Sequence, residues 1–410
     1  MGENGTNMEN NNPTGSIPKL RFPGFTGEWV ERQLKNSFDE RTEKNRCELP
    51  LLSLGEKGLV YQSDTARKDN SNADKSKYLR VAIGDIAYNT MRMWQGRCVC
   101  AEIEGIVSPA YTVCKPKNGI DSMFHYYLFK TNRMIQLFHQ NSQGLVNDTL
   151  NLKYEAFSKI RYLLPPTLSE QQKIASCLSE LDNLITAQGQ KVDALKEKKK
   201  GMMQRMFPQK GETVPRLRFP GFEGEWGYVN GGELFMPISN KEHNSDLPIL
   251  ALTQDQGAVP RDEINYNVVV SDKSVANYKV VEIDDFIISL RSFQGGIEYS
   301  RYKGLCSPAY LVLRKKSKKL SSDFYRIYFK SFNYIQKLNK NLEGIRDGKM
   351  IRYKQFAEIK LPKPTLKEQQ KIAEFLSELD KTIKAETMKL EALKNHKRGL
   401  MQQLFPQPVK

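Results

Sequence analysis

The sequence is short of the residues and motifs that build reactive centres. Its 410 residues include four histidines, His125, His139, His243 and His396, none at metal-ligand spacing. Each reads as a structural or surface residue. Six cysteines, Cys47, Cys98, Cys100, Cys114, Cys177 and Cys306, lie at irregular intervals with no CxxC pair. That speaks against a zinc site, and a reducing cytoplasm is the expected setting. No apolar run approaches the roughly eighteen residues of a membrane span, and no charged-then-apolar leader is present. Absent too are the Asn/Asp-Pro-Pro-Tyr/Phe motif of amino-methyltransferases, a GxGxxG loop and a GxxxxGK(S/T) phosphate loop. No nucleophile stands beside a candidate base. The expectation is a chain with no catalytic residues, no metal and no cofactor.

What is present is charge and repetition. Lys and Arg outnumber Asp and Glu by 63 to 47, a net charge of +16, which suggests a polyanionic partner, nucleic acid first and an anionic membrane second. Hydrophobic residues at 39% and charged residues at 27% suit a globular protein, and the length suits two domains.

The dominant feature is a helical stretch that occurs twice, at 168–208 and 366–406, with 24 of 41 positions identical and Phe-Pro closing each copy. In the first, Ile174, Leu178, Leu181, Ile185, Gln188, Val192, Leu195, Lys199, Met202 and Met206 recur at steps of four and three. In the second, Ile372, Leu376, Leu379, Ile383, Glu386, Leu390, Leu393, Lys397, Leu400 and Leu404 do the same. This is a coiled-coil seam, and each copy has its natural partner in the other. Polar interruptions fall at matching places, Gln188 with Glu386 and Lys199 with Lys397, where they fix register.

A second repeat opens each half: Pro18–Trp29 (PKLRFPGFTGEW) returns as Pro215–Trp226 (PRLRFPGFEGEW). Its Pro-Gly turn and flanking aromatics read as a loop that pins Phe25 and Trp29, or Phe222 and Trp226, onto the domain. Between opening and helix the halves diverge, with short islands in register: Ser108–Tyr111 with Ser307–Tyr310, and Arg92–Gly96 with Arg291–Gly295. Runs 81–88 and 280–288 read as strands bent at a turn, and 124–138 and 324–338 as helices. The fold class is therefore α+β: two mixed α/β domains in tandem, each followed by a long helix, the two helices pairing as an antiparallel coiled coil. The expected boundaries are a disordered tail at 1–16, a first domain at 17–165, helix at 166–208, a second domain at 209–362 and helix at 363–406.

Two tandem variable domains, each opened by LRFPGFxGEW and followed by a QQKIA-type helix, resemble the specificity subunit of a type I restriction-modification enzyme. The resemblance covers essentially everything after residue 16. It implies a non-catalytic subunit that binds a bipartite, asymmetric double-stranded DNA target, one half per domain, with the paired helices as ruler. It also implies docking of two methyltransferase subunits on the repeated framework, to which endonuclease subunits add. The alternative reading is a coiled-coil protein-binding adaptor without DNA specificity.

If DNA is the partner, base-edge contacts must come from the variable regions. The loops after the bent strands supply Thr90, Arg92, Met93, Trp94, Gln95 and Arg97 in the first domain, and Ser289, Arg291, Ser292, Phe293 and Gln294 in the second. Arginine can pair with guanine and glutamine with adenine; Trp94 and Phe293 read equally as loop anchors. A second polar patch offers Gln143, Asn147 and Lys153, with Arg346, Lys349, Arg352 and Lys354 as counterparts; ordinary turns fit it as well. The basic run Arg314–Lys319 reads as a solvated loop or a phosphate track. For a methyltransferase partner, the helix starts Glu170-Gln171-Gln172-Lys173 and Glu368-Gln369-Gln370-Lys371 are the candidate contact, or else helix caps.

Overall fold

The structure is a computed structural model that describes residues 16–55, 58–65, 71–146, 149–264, 275–289, 292–340 and 351–406, the side chain of Phe293 excepted. The expected tail lies, apart from Ser16, outside the described residues. The chain divides into two compact units, Met1–Gly189 with Met388–Lys410, and Gln190–Thr387.

In the first unit, β1 (Val30–Gln33), β2 (Phe38–Glu40), β3 (Leu52–Gly55), β4 (Gly58–Tyr61), β5 (Leu79–Val81), β6 (Ile86–Asn89), β7 (Cys98–Cys100), β8 (Gly105–Val107) and β9 (Tyr111–Pro116) precede α1 (Ser122–Leu128), α2 (Asn132–Asn141) and α3 (Tyr154–Lys159). β10 (Arg161–Leu164) then leads into the long helix α4 (Leu168–Met206). The central sheet has the order β2-β9-β6-β7, and β5–β8, β3–β4 and β1–β10 pair separately. All these ladders are antiparallel.

The second unit repeats the plan. It runs β11 (Gly227–Asn230), the single turn α5 (Gly231–Leu234), β12 (Phe235–Ile238), β13 (Leu250–Thr253), β14 (Gly257–Pro260), β15 (Lys279–Val281) and β16 (Phe286–Ile288). Then come α6 (Ser292–Gly295), β17 (Glu298–Tyr299), β18 (Gly304–Cys306), β19 (Leu311–Lys315), α7 (Ser322–Tyr328), α8 (Phe332–Lys340), α9 (Tyr353–Glu358), β20 (Lys360–Lys363) and the long helix α10 (Leu366–Leu404). Its sheet order is β12-β19-β16-β17.

The bent runs resolve into two strands each, because a tight turn divides them. Asp85 N–H donates to the Ala82 carbonyl at 3.0 Å and Asp285 N–H to that of Glu282 at 3.2 Å. The third residue of each turn has positive φ, +86° at Gly84 and +74° at Asp284, the shape of a type II turn.

Both long helices have 39 residues, about 58 Å at 1.5 Å per residue. Each starts at a threonine cap: Thr167 Oγ1 accepts from Glu170 N–H at 3.4 Å and Thr365 Oγ1 from Glu368 N–H at 3.3 Å. Each ends before Phe-Pro, since proline cannot continue a helix. The seam residues are buried or half-buried throughout.

Within the first unit the end of α10 runs antiparallel to the start of α4, with Leu404 and Phe405 in one core with Ile174, Ala175 and Leu178. Within the second the end of α4 meets the start of α10, Met206 and Phe207 packing with Ile372, Ala373 and Leu376. The polar seam lysines are paired: Lys397 Nζ sits 2.6 Å from Asp182, and Lys199 Nζ 2.5 Å from Asp380. Lys191 adds a bond to Glu386 at 2.5 Å.

Candidate nucleic-acid interface

In the first unit the loop after β6 is fixed at its base and free at its tip. Thr90 bonds the Ala110 carbonyl through both N–H and Oγ1 at 3.1 Å, and its own carbonyl accepts from Leu152 N–H at 2.9 Å. Gln143 and Asn151 exchange backbone bonds at 2.9 and 2.8 Å. The Thr90–Leu152 bond therefore joins two patches that were separate in the sequence. Arg92, Arg97, Gln143 and Lys153 are exposed on it. Trp94 is half-buried; its Nε1–H donates to the Met91 carbonyl at 3.0 Å, and its ring meets His139 edge-on at 5.8 Å, so it anchors the loop. Met93 is a correction. It is fully buried in the core with Phe129 and Phe138, because the 3-10 turn at Met93–Gln95 points it inward. Gln95 is half-buried, with Oε1 shielded and unpartnered among the described residues. Asn147 lies outside the described residues.

In the second unit Ser292 is likewise a correction. It is 1% exposed, and its Oγ accepts from Ser289 N–H at 2.9 Å, holding the start of α6. Ser289 is half-buried, and Gln294, Arg352 and Lys354 are exposed. Arg352 N–H also caps α9 by donating to Gln355 Oε1 at 2.8 Å. Arg291, Arg346 and Lys349, and the side chain of Phe293, lie outside the described residues.

The register of the two loops also shifts by one. Gly96 and Gly296 share a positive φ, +71° and +81°, and a Cβ on either would crowd the carbonyl of Phe129 or Phe329. Gly296, not Gly295, is thus the counterpart of Gly96, and Arg92 aligns with Ser292. Of the basic run, Arg314 is bonded to Asp285 at 2.7 Å, Lys315 to Asp284 at 2.9 Å and Lys316 to the Gly232 carbonyl at 2.6 Å. Lys318 and Lys319 stay exposed.

The helix starts divide by face. Glu170 and Glu368 are each 1% exposed, which corrects their expected role as surface contacts. Arg21 reaches Glu170 through Nε and Nη2, both at 2.8 Å, and Trp29 Nε1–H donates to the same carboxylate at 3.2 Å. Arg218 and Trp226 hold Glu368 the same way, at 2.7, 2.9 and 3.1 Å. Each arginine also donates to a carbonyl of its own loop, Gly27 or Gly224. A buried carboxylate needs such pairing.

Gln171 and Gln369 are corrected too. Their amides accept the N–H of Asp121 at 3.0 Å and of Ser321 at 2.9 Å, tying α1 and α7 to the long helices. Gln172, Lys173, Gln370 and Lys371 remain exposed, with Lys173 over the Phe22 ring and Lys371 3.2 Å from Glu374. The two repeated motifs thus bind each other, and one face of each helix start is left open.

Two framework copies around two different loops are what a family model described as the type I restriction modification DNA specificity domain also finds, at residues 33–197 and 225–395. The chain belongs to this family. It is similar to a Methanocaldococcus jannaschii chain assigned as the specificity subunit of the type I restriction enzyme MjaX, at 26% identity over 421 residues, 95% of this chain and 96% of that one. The MjaVIII specificity subunit of the same organism is 25% identical over 357 residues, 80% and 82% of the two chains. The crystal structure of a type I restriction-modification S subunit from M. genitalium shares the fold with a TM-score of 0.57 at 15% identity, over 96% of this chain and 100% of that one. A chain from a structure concerned with complex assembly and conformational transition of the type I R-M system gives 0.53 at 15% identity, with the same coverage.

What sequence reasoning missed in this specificity subunit is the arginine–glutamate–tryptophan lock. Its signal was there: Arg21, Trp29 and Glu170 recur as Arg218, Trp226 and Glu368, and Glu170 precedes the seam residue Ile174 by one helical turn. Among the described residues no cluster of His, Cys, Asp and Glu side chains could hold a metal, and no helix is long and apolar enough to cross a membrane.

Proposed function

We propose that this specificity subunit recognises a bipartite, asymmetric DNA sequence in the cytoplasm, one half per unit. In this reading it has no catalytic centre of its own. It docks two methyltransferase subunits on its repeated framework, and endonuclease subunits join through the resulting complex. The observation that carries this reading is the contrast between framework and loops. The same lock, caps and seam recur in both units, yet they hold loops of different composition, Arg92-Met93-Trp94-Gln95 in one and Ser292-Phe293-Gln294-Gly295 in the other, each after the central strand β6 or β16. A framework that repeats suits partners that repeat, and loops that differ suit two different half-sites. The net charge of +16 supports a phosphate backbone as ligand. Exposed Arg92, Arg97, Gln143 and Lys153 offer base-edge and phosphate donors. Their counterparts in this role are Gln294, Arg352 and Lys354, with Arg291, Arg346 and Lys349 added from the sequence alone.

The test is co-expression with the cognate methyltransferase subunit followed by single-molecule methylation sequencing. A bipartite methylated motif with a fixed gap, absent when this chain is omitted, is the expected result. DNA affinity that fails to fall with rising salt would instead favour the protein-binding adaptor.

A further inference from the structure

We propose that Ile83 and Ile283 are the apolar anchors of the methyltransferase docking surface, one per unit, each acting with the exposed face of the adjoining helix start. This rests on the reading that two methyltransferase subunits bind the repeated framework.

Both isoleucines are the second residue of the tight turn before the central strand. They are 70% and 61% exposed, while the strands that follow are buried. An exposed aliphatic residue is ordinary when single. Here it recurs at one position in both domains, inside the variable part of each, as exposed Ile17 and Leu20 recur as Val214 and Leu217 in the repeated opening segments.

The turn that presents it is rigid. Asp85 Oδ2 accepts the Ala82 N–H at 2.8 Å, and Asp285 Oδ2 that of Glu282 at 2.9 Å, on top of the turn hydrogen bonds. Each aspartate is in turn clamped by an arginine, but the arginine comes from different places. Arg41, just after β2, holds Asp85 at 2.6 Å, whereas Arg314 on β19 holds Asp285 at 2.7 Å. The second unit keeps the turn shape even though Asp284 replaces Gly84, accepting a positive φ that side chains other than glycine seldom adopt.

The turn is also linked to the start of the long helix in both units, again by different bonds. In the first, Ser122 Oγ–H donates to the Gly84 carbonyl at 2.5 Å, and the neighbouring Asp121 N–H donates to Gln171 at 3.0 Å. In the second, Lys315 bridges Asp284 at 2.9 Å and Ser322 at 2.8 Å, and Ser321 N–H donates to Gln369 at 2.9 Å. Different chemistry thus ties the turn that carries the isoleucine to the start of the long helix in each unit. What is maintained is the position, and that calls for a ligand common to both units.

That ligand is not DNA bases. The turn lies at the opposite end of β6 or β16 from the candidate reading loop. The charges at the turn are already paired, Asp85 with Arg41 in the first unit and Glu282 with Lys303 at 3.0 Å and Asp284 with Lys315 at 2.9 Å in the second, with exposed Glu102 beside the first turn, so the turn itself offers phosphate no surplus of positive charge. A protein surface with an apolar pocket, met twice, fits.

The experiment puts Ile83→Asp, Ile283→Asp and the pair into the full chain, co-expressed with its methyltransferase subunit. Copies bound per chain are counted by native mass spectrometry, and affinity is titrated. Wild type is expected to carry two copies. Each single variant should keep one tight site and weaken the other at least about tenfold, the scale of an interface anchor, and the double variant should weaken both. Thermal unfolding should not shift, and Ile83→Val should bind as wild type. Two tightly held copies on both variants, with two on wild type, would overturn this inference and leave the functional reading standing. No copies on wild type would bring down both. Loss of DNA affinity by the variant chain alone would make the turn a DNA contact and also overturn it.

Discussion

Arg92 is exposed, and among the described residues no carboxylate or carbonyl holds its guanidinium. If it reads a guanine, Arg92→Ala should cost about 1–3 kcal/mol and relax preference at one position of the first half-site. Lys153→Ala should weaken all sequences alike and lower the salt slope by about one. Anisotropy titrations at several salt concentrations separate the two. His125 makes a prediction of another kind. Its Nδ1 lies 2.7 Å from the Asp121 carbonyl, which can only accept, so Nδ1 carries the proton and Nε2 accepts from Tyr162 OH at 2.9 Å. Burial pushes its pKa down from 6.5 to about 4. The unfolded chain therefore takes up a proton that the folded one refuses. The stabilisation is complete above about pH 6.5 and is lost as pH falls towards 4, in total roughly 3 kcal/mol. The matching residue of the second unit is Tyr325, whose hydroxyl donates to the Pro362 carbonyl at 2.8 Å and does not titrate there. Replacing His125 with Phe should flatten the fall in stability of the first unit between pH 6.5 and 5, by about 2 kcal/mol relative to wild type, as measured by denaturant unfolding.

The long helices were legible because their pattern is long. Ten seam positions in each copy leave no other period, and threonine caps and Phe-Pro stops bound them. The sheets were not legible to the same degree. Strands of two to six residues, such as Glu298–Tyr299, carry too few alternations to reveal pairing, and β6 pairs with β9 across the intervening β7 and β8, which belong to different sheets. The site was half legible. The loop after β6 was found, but Met93 and Ser292 were assigned outward because a short run of mixed residues does not say which of them faces the core. Glu170 and Glu368 looked like surface charge because their arginine partners lie 149 and 150 residues away. The lysines in the seam looked like interruptions and prove to be rungs. Asp380→Lys should place like charges at one rung, and adding Lys199→Asp should restore stability. The coupling between the two, read from a double-mutant cycle, should be about 0.5–1 kcal/mol, modest because both side chains are partly exposed, 24% and 38%.

At the scale of the whole molecule, each long helix begins in one unit and ends in the other. If the units read two half-sites, helix length sets the gap between them. One heptad added to both helices, about 10 Å of rise, should widen the gap by about three base pairs and leave both half-sites unchanged. Methylation sequencing that showed altered half-sites and the old gap would refute this. The order of the repeats is a different matter. Phe207 packs on Trp226 and Phe324 at 6.4 and 5.7 Å, at the point where the chain passes from the first helix into the second opening segment. Phe405 packs on Trp29 and Phe124 at 6.2 and 5.5 Å in the same way, and Leu20 N–H donates to the Gln403 carbonyl at 3.0 Å as Leu217 N–H does to Arg205 at 2.9 Å. The end of the second helix thus meets the first opening segment as if the chain continued there. Each unit holds the same joint between a helix end and an opening segment. A circularly permuted chain, joined from residue 410 to residue 1 and opened between Lys210 and Gly211, should fold, and with the methyltransferase subunit it should mark the same DNA sequence.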